Sequence, residues 1–127
     1  MKIVASREFY SVAVDGSKNR IHLANRGSWT NAKQIDGWLD DLSAATKLCT
    51  PGFTALIDWT QSTGILLTDR VAEAQKLLVK AGMRKAARLF ERETFLKYQM
   101  DQVSQQTGFP VESFFDRREA EAWLDKA

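Results

Sequence analysis

The chain has 127 residues, 44% hydrophobic and 27% charged, with a net charge of +2. That is the size and mixture of one globular domain with one core, not of a disordered or fibrous chain, and the charge is too small to imply nucleic acid by itself. One cysteine, Cys49, excludes an internal disulfide, and one histidine, His22, excludes a His-based metal cluster.

The opening Met1-Lys2-Ile3-Val4-Ala5-Ser6-Arg7-Glu8 lacks the apolar run of a secretory signal. No uncharged apolar stretch approaches the ~20 residues of a membrane span. A cytoplasmic protein without a transmembrane segment is expected. Residues 9–14 are rich in β-branched and aromatic types and end at the turn signal Asp15-Gly16. Alternation resumes over residues 20–25, with Ile21 and Leu23 on one face, so the pair reads as a β-hairpin closed by a loop over 15–19. Gly27-Ser28 breaks the second strand.

Thr30 reads as the N-cap of a helix carrying Ile35, Trp38, Leu39 and Leu42 at helical spacing. Gly37 weakens this helix slightly, and Thr50-Pro51-Gly52 ends it near Leu48. Phe53-Thr54-Ala55-Leu56-Ile57, closed by Asp58, is the short continuous apolar run of a buried central strand. A loop is expected over 60–67. Thr68 or Asp69 then caps a second helix with Val71, Ala74, Leu78 and Ala81 inside and Gly82 as its C′ residue.

Residues 85–90 read as the next strand. Glu93 or Thr94 starts a third helix carrying Phe95, Leu96, Met100 and Val103 and stopping at Gly108. Residues 110–115 are a last short strand. Asp116-Arg117-Arg118-Glu119 has the form of a capping box before a final helix with Ala120, Trp123 and Leu124 inward. The expected fold is α/β: a mixed five-stranded sheet flanked by four helices, in the order β-β-α-β-α-β-α-β-α, within one domain over 1–127.

Leu56-Ile57-Asp58, Ala86-Ala87-Arg88-Leu89-Phe90, and Phe114-Phe115-Asp116 running into Glu119-Ala120-Glu121-Ala122-Trp123-Leu124 resemble the STAS-like family, especially its SpoIIAA-like (anti-sigma-factor-antagonist-like) branch. The resemblance spans nearly the whole chain. It implies a non-enzymatic domain that binds other proteins, with a phosphorylation switch in some members at the start of the helix after the central strand. There this sequence reads Ile65-Leu66-Leu67-Thr68-Asp69-Arg70, which departs from the family's Asp-Ser-Ser-Gly-like motif and leaves Thr68 as the hydroxyl nearest the switch position.

Among the chemistry-bearing residues, His22 lies opposite Ile21 and Leu23 and reads as a solvent-facing or hydrogen-bonded histidine. Cys49 reads as a small apolar residue at a helix end. Asp36, Asp40 and Asp41 form a solvated helix face, and the basic residues Lys76, Lys80, Arg84, Lys85, Arg88 and Arg92 are interrupted by Glu73, Glu91 and Glu93. Asp58 ends the central strand, where it either lines a site or accepts hydrogen bonds from loop amides. Trp29 and Trp59, each just past a strand, join Ile65, Leu66 and Leu67 in an apolar rim at one end of the sheet. Such a rim is a partner surface, a pocket for an apolar ligand, or a lid on the core.

The residues carry no nucleophile–base pair and no metal set. With the resemblance, the expected function is a STAS-like regulatory or protein-interaction domain with an unidentified protein partner or a second copy of the chain as a homodimer, and with no cofactor and no nucleic acid. The alternative is a carrier or sensor of a small apolar ligand or lipid.

Overall fold

The structure is a computed structural model that describes residues 1–65 and 67–127. One six-stranded sheet has its strands in sequence order: β1 (Lys2–Ser6), β2 (Tyr10–Asp15), β3 (Arg20–Trp29), β4 (Thr54–Ile65), β5 (Lys85–Leu89) and β6 (Val111–Phe114). The first three pair antiparallel, and β3 through β6 run parallel. The helices are α1 (Trp38–Thr46), α2 (Thr68–Lys80), α3 (Phe95–Thr107) and α4 (Arg117–Asp125).

The expected α/β class, mixed sheet and four helices are present, and the strand count is corrected from five to six. The added strand is β1, an edge strand whose Ile3 is exposed and whose register shifts between Ile3 and Ala5. Alternation is broken there because the consecutive residues Val4 and Ala5 both pack against the main core across that register shift.

Alternation divides the sheet residues between two faces. Tyr10, Val12 and Val14 of β2, Ile21 and Leu23 of β3, and Ala55, Ile57 and Trp59 of β4 pack with α1, α2 and α3 in the main core. Leu56 and Ala87 point the other way, where Ala120 and Leu124 of α4 cover them. Arg20 ties α4 down. Its guanidinium is buried and donates to Thr54 Oγ1 (2.9 Å), Glu121 Oε1 (2.8 Å) and Asp125 Oδ1 (2.8 Å). That bond holds the Asp125 carboxyl below its ordinary pKa.

Two boundaries differ from the sequence reading. The single helix expected from Thr30 is split: Asn31, not Thr30, caps a short 3-10 helix (Ala32–Ile35) through a capping box with Gln34. Gly37 then takes a left-handed φ of 85°, which interrupts the helix outright before α1 begins. In the second case, Thr68 is not the cap of α2. It is the first helical residue, behind Leu67, which offers no capping side-chain bond. Thr94 caps α3 as expected, accepting from Lys97 N, and Asp116 caps α4 by accepting from Arg118 N, a simple cap in place of the expected capping box with Glu119.

Candidate functional site

The central strand continues well past Asp58. Residues 59–65, expected largely as loop, extend β4 to Ile65 by pairing with Arg26, Gly27, Ser28 and Trp29 of β3, through two register shifts. Thr60 and Thr63 suit extended backbone, and the polar alternation reflects a strand that runs beyond the helices into solvent. Asp58 accepts from the Thr60 amide (2.8 Å) and hydroxyl (2.7 Å) through one oxygen, and from Arg117 (2.9 Å) through the other. It thus accepts a local amide, one of the two roles expected for it.

Trp29 and Trp59 do not form an exposed rim. Trp29 is 0% and Trp59 3% exposed. Trp29 stands edge-on to Trp38 (4.9 Å between centroids) and to Trp59 (5.5 Å), and donates from Nε1 to Arg26 O (3.1 Å). Ile65 is buried and Leu67 is half-buried against the same cluster. These four close the end of the core as a lid, because β3 and the extended β4 run on to pair Trp29 with Ile65. Leu66 lies outside the described residues. Thr68 is half-buried at the start of α2.

The enclosed space beneath Trp59 amounts to about 20 Å³. A small-ligand pocket needs roughly 300 Å³ or more, so this core has no room for an apolar ligand.

The extension of β4 creates a different feature. Between residues 60–64 on one side and the β5–α3 connection on the other lies an open cleft of about 430 Å³, floored by Trp59, Phe90 and Leu96 and flanked by Arg92, Phe95 and Gln99. It sits beyond the carboxyl end of β5 and beside the C-terminal half of β4, near where open α/β sheets commonly bind their ligands. Gln99 fixes one wall by donating to Ile65 O (3.0 Å). Phe95, on this wall, is 72% exposed, and its ring stacks with that of Tyr98, 58% exposed, at 6.2 Å with 22° between planes.

Phe95 was expected as a helix residue beside Leu96, Met100 and Val103. The structure turns Leu96, Met100 and Val103 inward and leaves Phe95 in solvent. Lys97, bonded to Asp101 (3.1 Å), is held above its ordinary pKa, chiefly by that bond. The exposed aromatic surface therefore lies beside this neighbouring cleft and not at the tryptophans. The signal was readable: Leu96, Met100 and Val103 already make a complete i, i+4, i+7 stripe, and Phe95 and Tyr98 fall off it.

On the opposite face of the sheet, Ser11, His22 and Asp58 stand on adjacent strands. Asp58 hydrogen-bonds to Thr60 and Arg117 rather than to His22. Burial lowers the His22 pKa. Cys49 is free and half-buried, and burial raises its thiol pKa. No helix among the described residues is long and apolar enough to cross a membrane.

No protein-family model matches the sequence, and no curated protein does. Solved structures do. A DUF3478-family protein from Shewanella loihica PV-4 with a SpoIIAA-like fold superimposes with a TM-score of 0.63 at 21% identity, over 94% of this chain and 97% of that one. Apo-SiaC from Pseudomonas aeruginosa matches with a TM-score of 0.55 at 12% identity, over 89% and 96%. The anti-sigma factor antagonist SpoIIAA in its unphosphorylated form matches with a TM-score of 0.58 at 9% identity, over 93% and 98%.

Proposed function

The chain has the SpoIIAA-like fold, and from that premise we propose that it is a non-enzymatic regulatory domain that docks a protein partner at the cleft beside α3. One observation carries the reading: two large aromatic side chains are stacked in solvent, Phe95 lining a cleft beyond the carboxyl end of β5 and Tyr98 against its ring. Exposed aromatic rings are the side chains that interfaces concentrate at their energetic centres. Each ring stands to lose a large apolar area to a partner at low entropic cost, since the two already stack and α3 holds their backbone. Arg92 and the threonine and serine hydroxyls of residues 60–63 supply a polar border of the kind that surrounds such centres.

A regulatory role is supported by the description of SpoIIAA as an anti-sigma factor antagonist.

The test compares the wild-type chain with the double variant Phe95→Ala/Tyr98→Ala as baits in lysate of the source cell, read by quantitative mass spectrometry. A protein retained by wild type and lost from the variant supports the cleft. A partner retained equally by both would place docking elsewhere.

A further inference from the structure

An interior strand has its backbone amides and carbonyls paired from both sides. A strand that outruns one neighbour keeps unpaired groups along that edge. β4 does this. Toward β3 it is paired to its end, through Gln61, Ser62, Gly64 and Ile65. Toward β5 its pairing stops at Asp58, opposite Leu89. Among the described residues no other strand takes the place beside residues 59–65 on that side.

Two observations put this free edge in the cleft. Every residue from 59 to 64 lines it. A cleft over the face of a strand meets alternate residues, whereas one along the edge meets consecutive ones. Gln99, on the opposite wall, donates from Nε2 to Ile65 O (3.0 Å), so a backbone carbonyl of β4 already points across to α3. At the other end the Thr60 amide is taken by Asp58 Oδ1 (2.8 Å). Between these two closed positions, from Gln61 to Gly64, no hydrogen bond from outside the β3 ladder reaches the main chain among the described residues.

We infer that the partner enters this cleft as an extended peptide segment and adds to the free edge of β4 as a strand, beyond the point where β5 ends. This rests on the cleft being the docking site and names the form of what docks there.

The chemistry of the edge selects the occupant. Unpaired main-chain groups in a row are matched by another extended main chain, while side-chain contacts at alternate positions set specificity. A helix has its own backbone bonds closed and is ~10–12 Å across, so it leaves this edge unpaired. A second folded copy offers the outer strands β1 and β6, each held by its own sheet, and the cleft is walled on both sides. Residues 60–64 read Thr-Gln-Ser-Thr-Gly, without the charge or proline that guards exposed edges against pairing. Both register shifts against β3 add a residue to β4, so the pairing stretch is short. It fits about four partner residues, since strands rise ~3.3 Å per residue on both sides of a ladder. One alternate set of their side chains meets the apolar surface of Phe90, Leu96 and Phe95.

Linear peptides selected from a random display library on the wild-type chain test the inference. The tightest is synthesised unmodified and with one N-methyl group at each position in turn, and affinities are measured by calorimetry on wild type and on Phe95→Ala. Strand addition predicts weaker binding to Phe95→Ala and an affinity loss of about 10-fold or more at every second methylated position within a short stretch, with the positions between them tolerant. Nuclear Overhauser contacts from the peptide main chain to the amides of residues 61–64 are expected with it. A peptide that depends on Phe95 yet tolerates every N-methyl group, or loses affinity without alternation, overturns strand addition and leaves docking at the cleft standing. A peptide indifferent to Phe95→Ala, or a library that yields none, also overturns strand addition; the cleft itself then stands or falls with the protein that wild type retains from lysate and Phe95→Ala/Tyr98→Ala does not.

Discussion

Trp59 and Phe95 lie on either side of one small cleft, and truncating each to alanine separates floor from rim. Trp59 is 3% exposed and packs edge-on against Trp29 in the main core. Removing it deletes the transfer energy of a buried indole and leaves a void beside Ile57 and Met100, a loss of about 3–5 kcal/mol. For a chain of this length each kcal/mol lowers Tm by roughly 3–6 °C, so Trp59→Ala should melt at least ~10 °C below wild type. Phe95 is 72% exposed and contributes no buried face to the core. Phe95→Ala should stay within about 0.5 kcal/mol of wild type. Both are measured by urea and thermal unfolding with circular dichroism. A stable Trp59→Ala paired with a strongly destabilised Phe95→Ala would refute the assignment of these two aromatics to floor and rim.

The Arg20 clasp should give an acid-sensitive stability. The folded-state pKa of Asp125 is depressed, first by its hydrogen bond from Arg20. Its contribution is therefore complete above the ordinary aspartate value of about 4 and is lost as pH falls through the depressed one; Arg20→Met should flatten that part of the stability–pH profile. At the alkaline end, burial first and the Asp41 bond second push the Tyr10 phenol up to about 12. Its contribution is complete below an unfolded value of about 10 and lost as pH rises through 12, which a tyrosinate absorbance titration of wild type against Tyr10→Phe should resolve as a missing late transition. Among the caps, Thr94→Ala should cost about 1 kcal/mol because its hydroxyl accepts from Lys97 N. Thr68→Ala, at a position that does not cap α2, should cost less than about 0.5 kcal/mol by chemical denaturation.

Elements that carry a full period of apolar residues were legible in the sequence. The stripes Val71-Ala74-Leu78 and Leu96-Met100-Val103 face the core as their spacing requires. The run from Phe53 to Ile57 is buried on both faces because α4 covers Leu56 while the other helices cover Ala55 and Ile57. What the sequence hid lies where burial is one-sided or absent. Lys2–Ser6 pairs along a single edge and exposes Ile3, so its pattern is too diluted to mark a strand.

The polar residues 60–64 read as loop because polarity usually means no core contact, yet the strand there is held by backbone pairing with β3 and needs little side-chain burial. That one extension displaced the candidate site. It buried Trp29, Trp59 and Ile65 under the end of the sheet and opened the neighbouring cleft. Gly37 was read as a small weakening of one helix, whereas its left-handed φ of 85° breaks it before Trp38.

Amide hydrogen exchange of the chain with and without its captured partner tests the docking proposal most directly. The account predicts slowed exchange confined to residues 60–64 and 92–99, the two walls of the cleft. Protection centred instead on the open sheet face of β1–β3 or on α4, with the cleft unchanged, would contradict it.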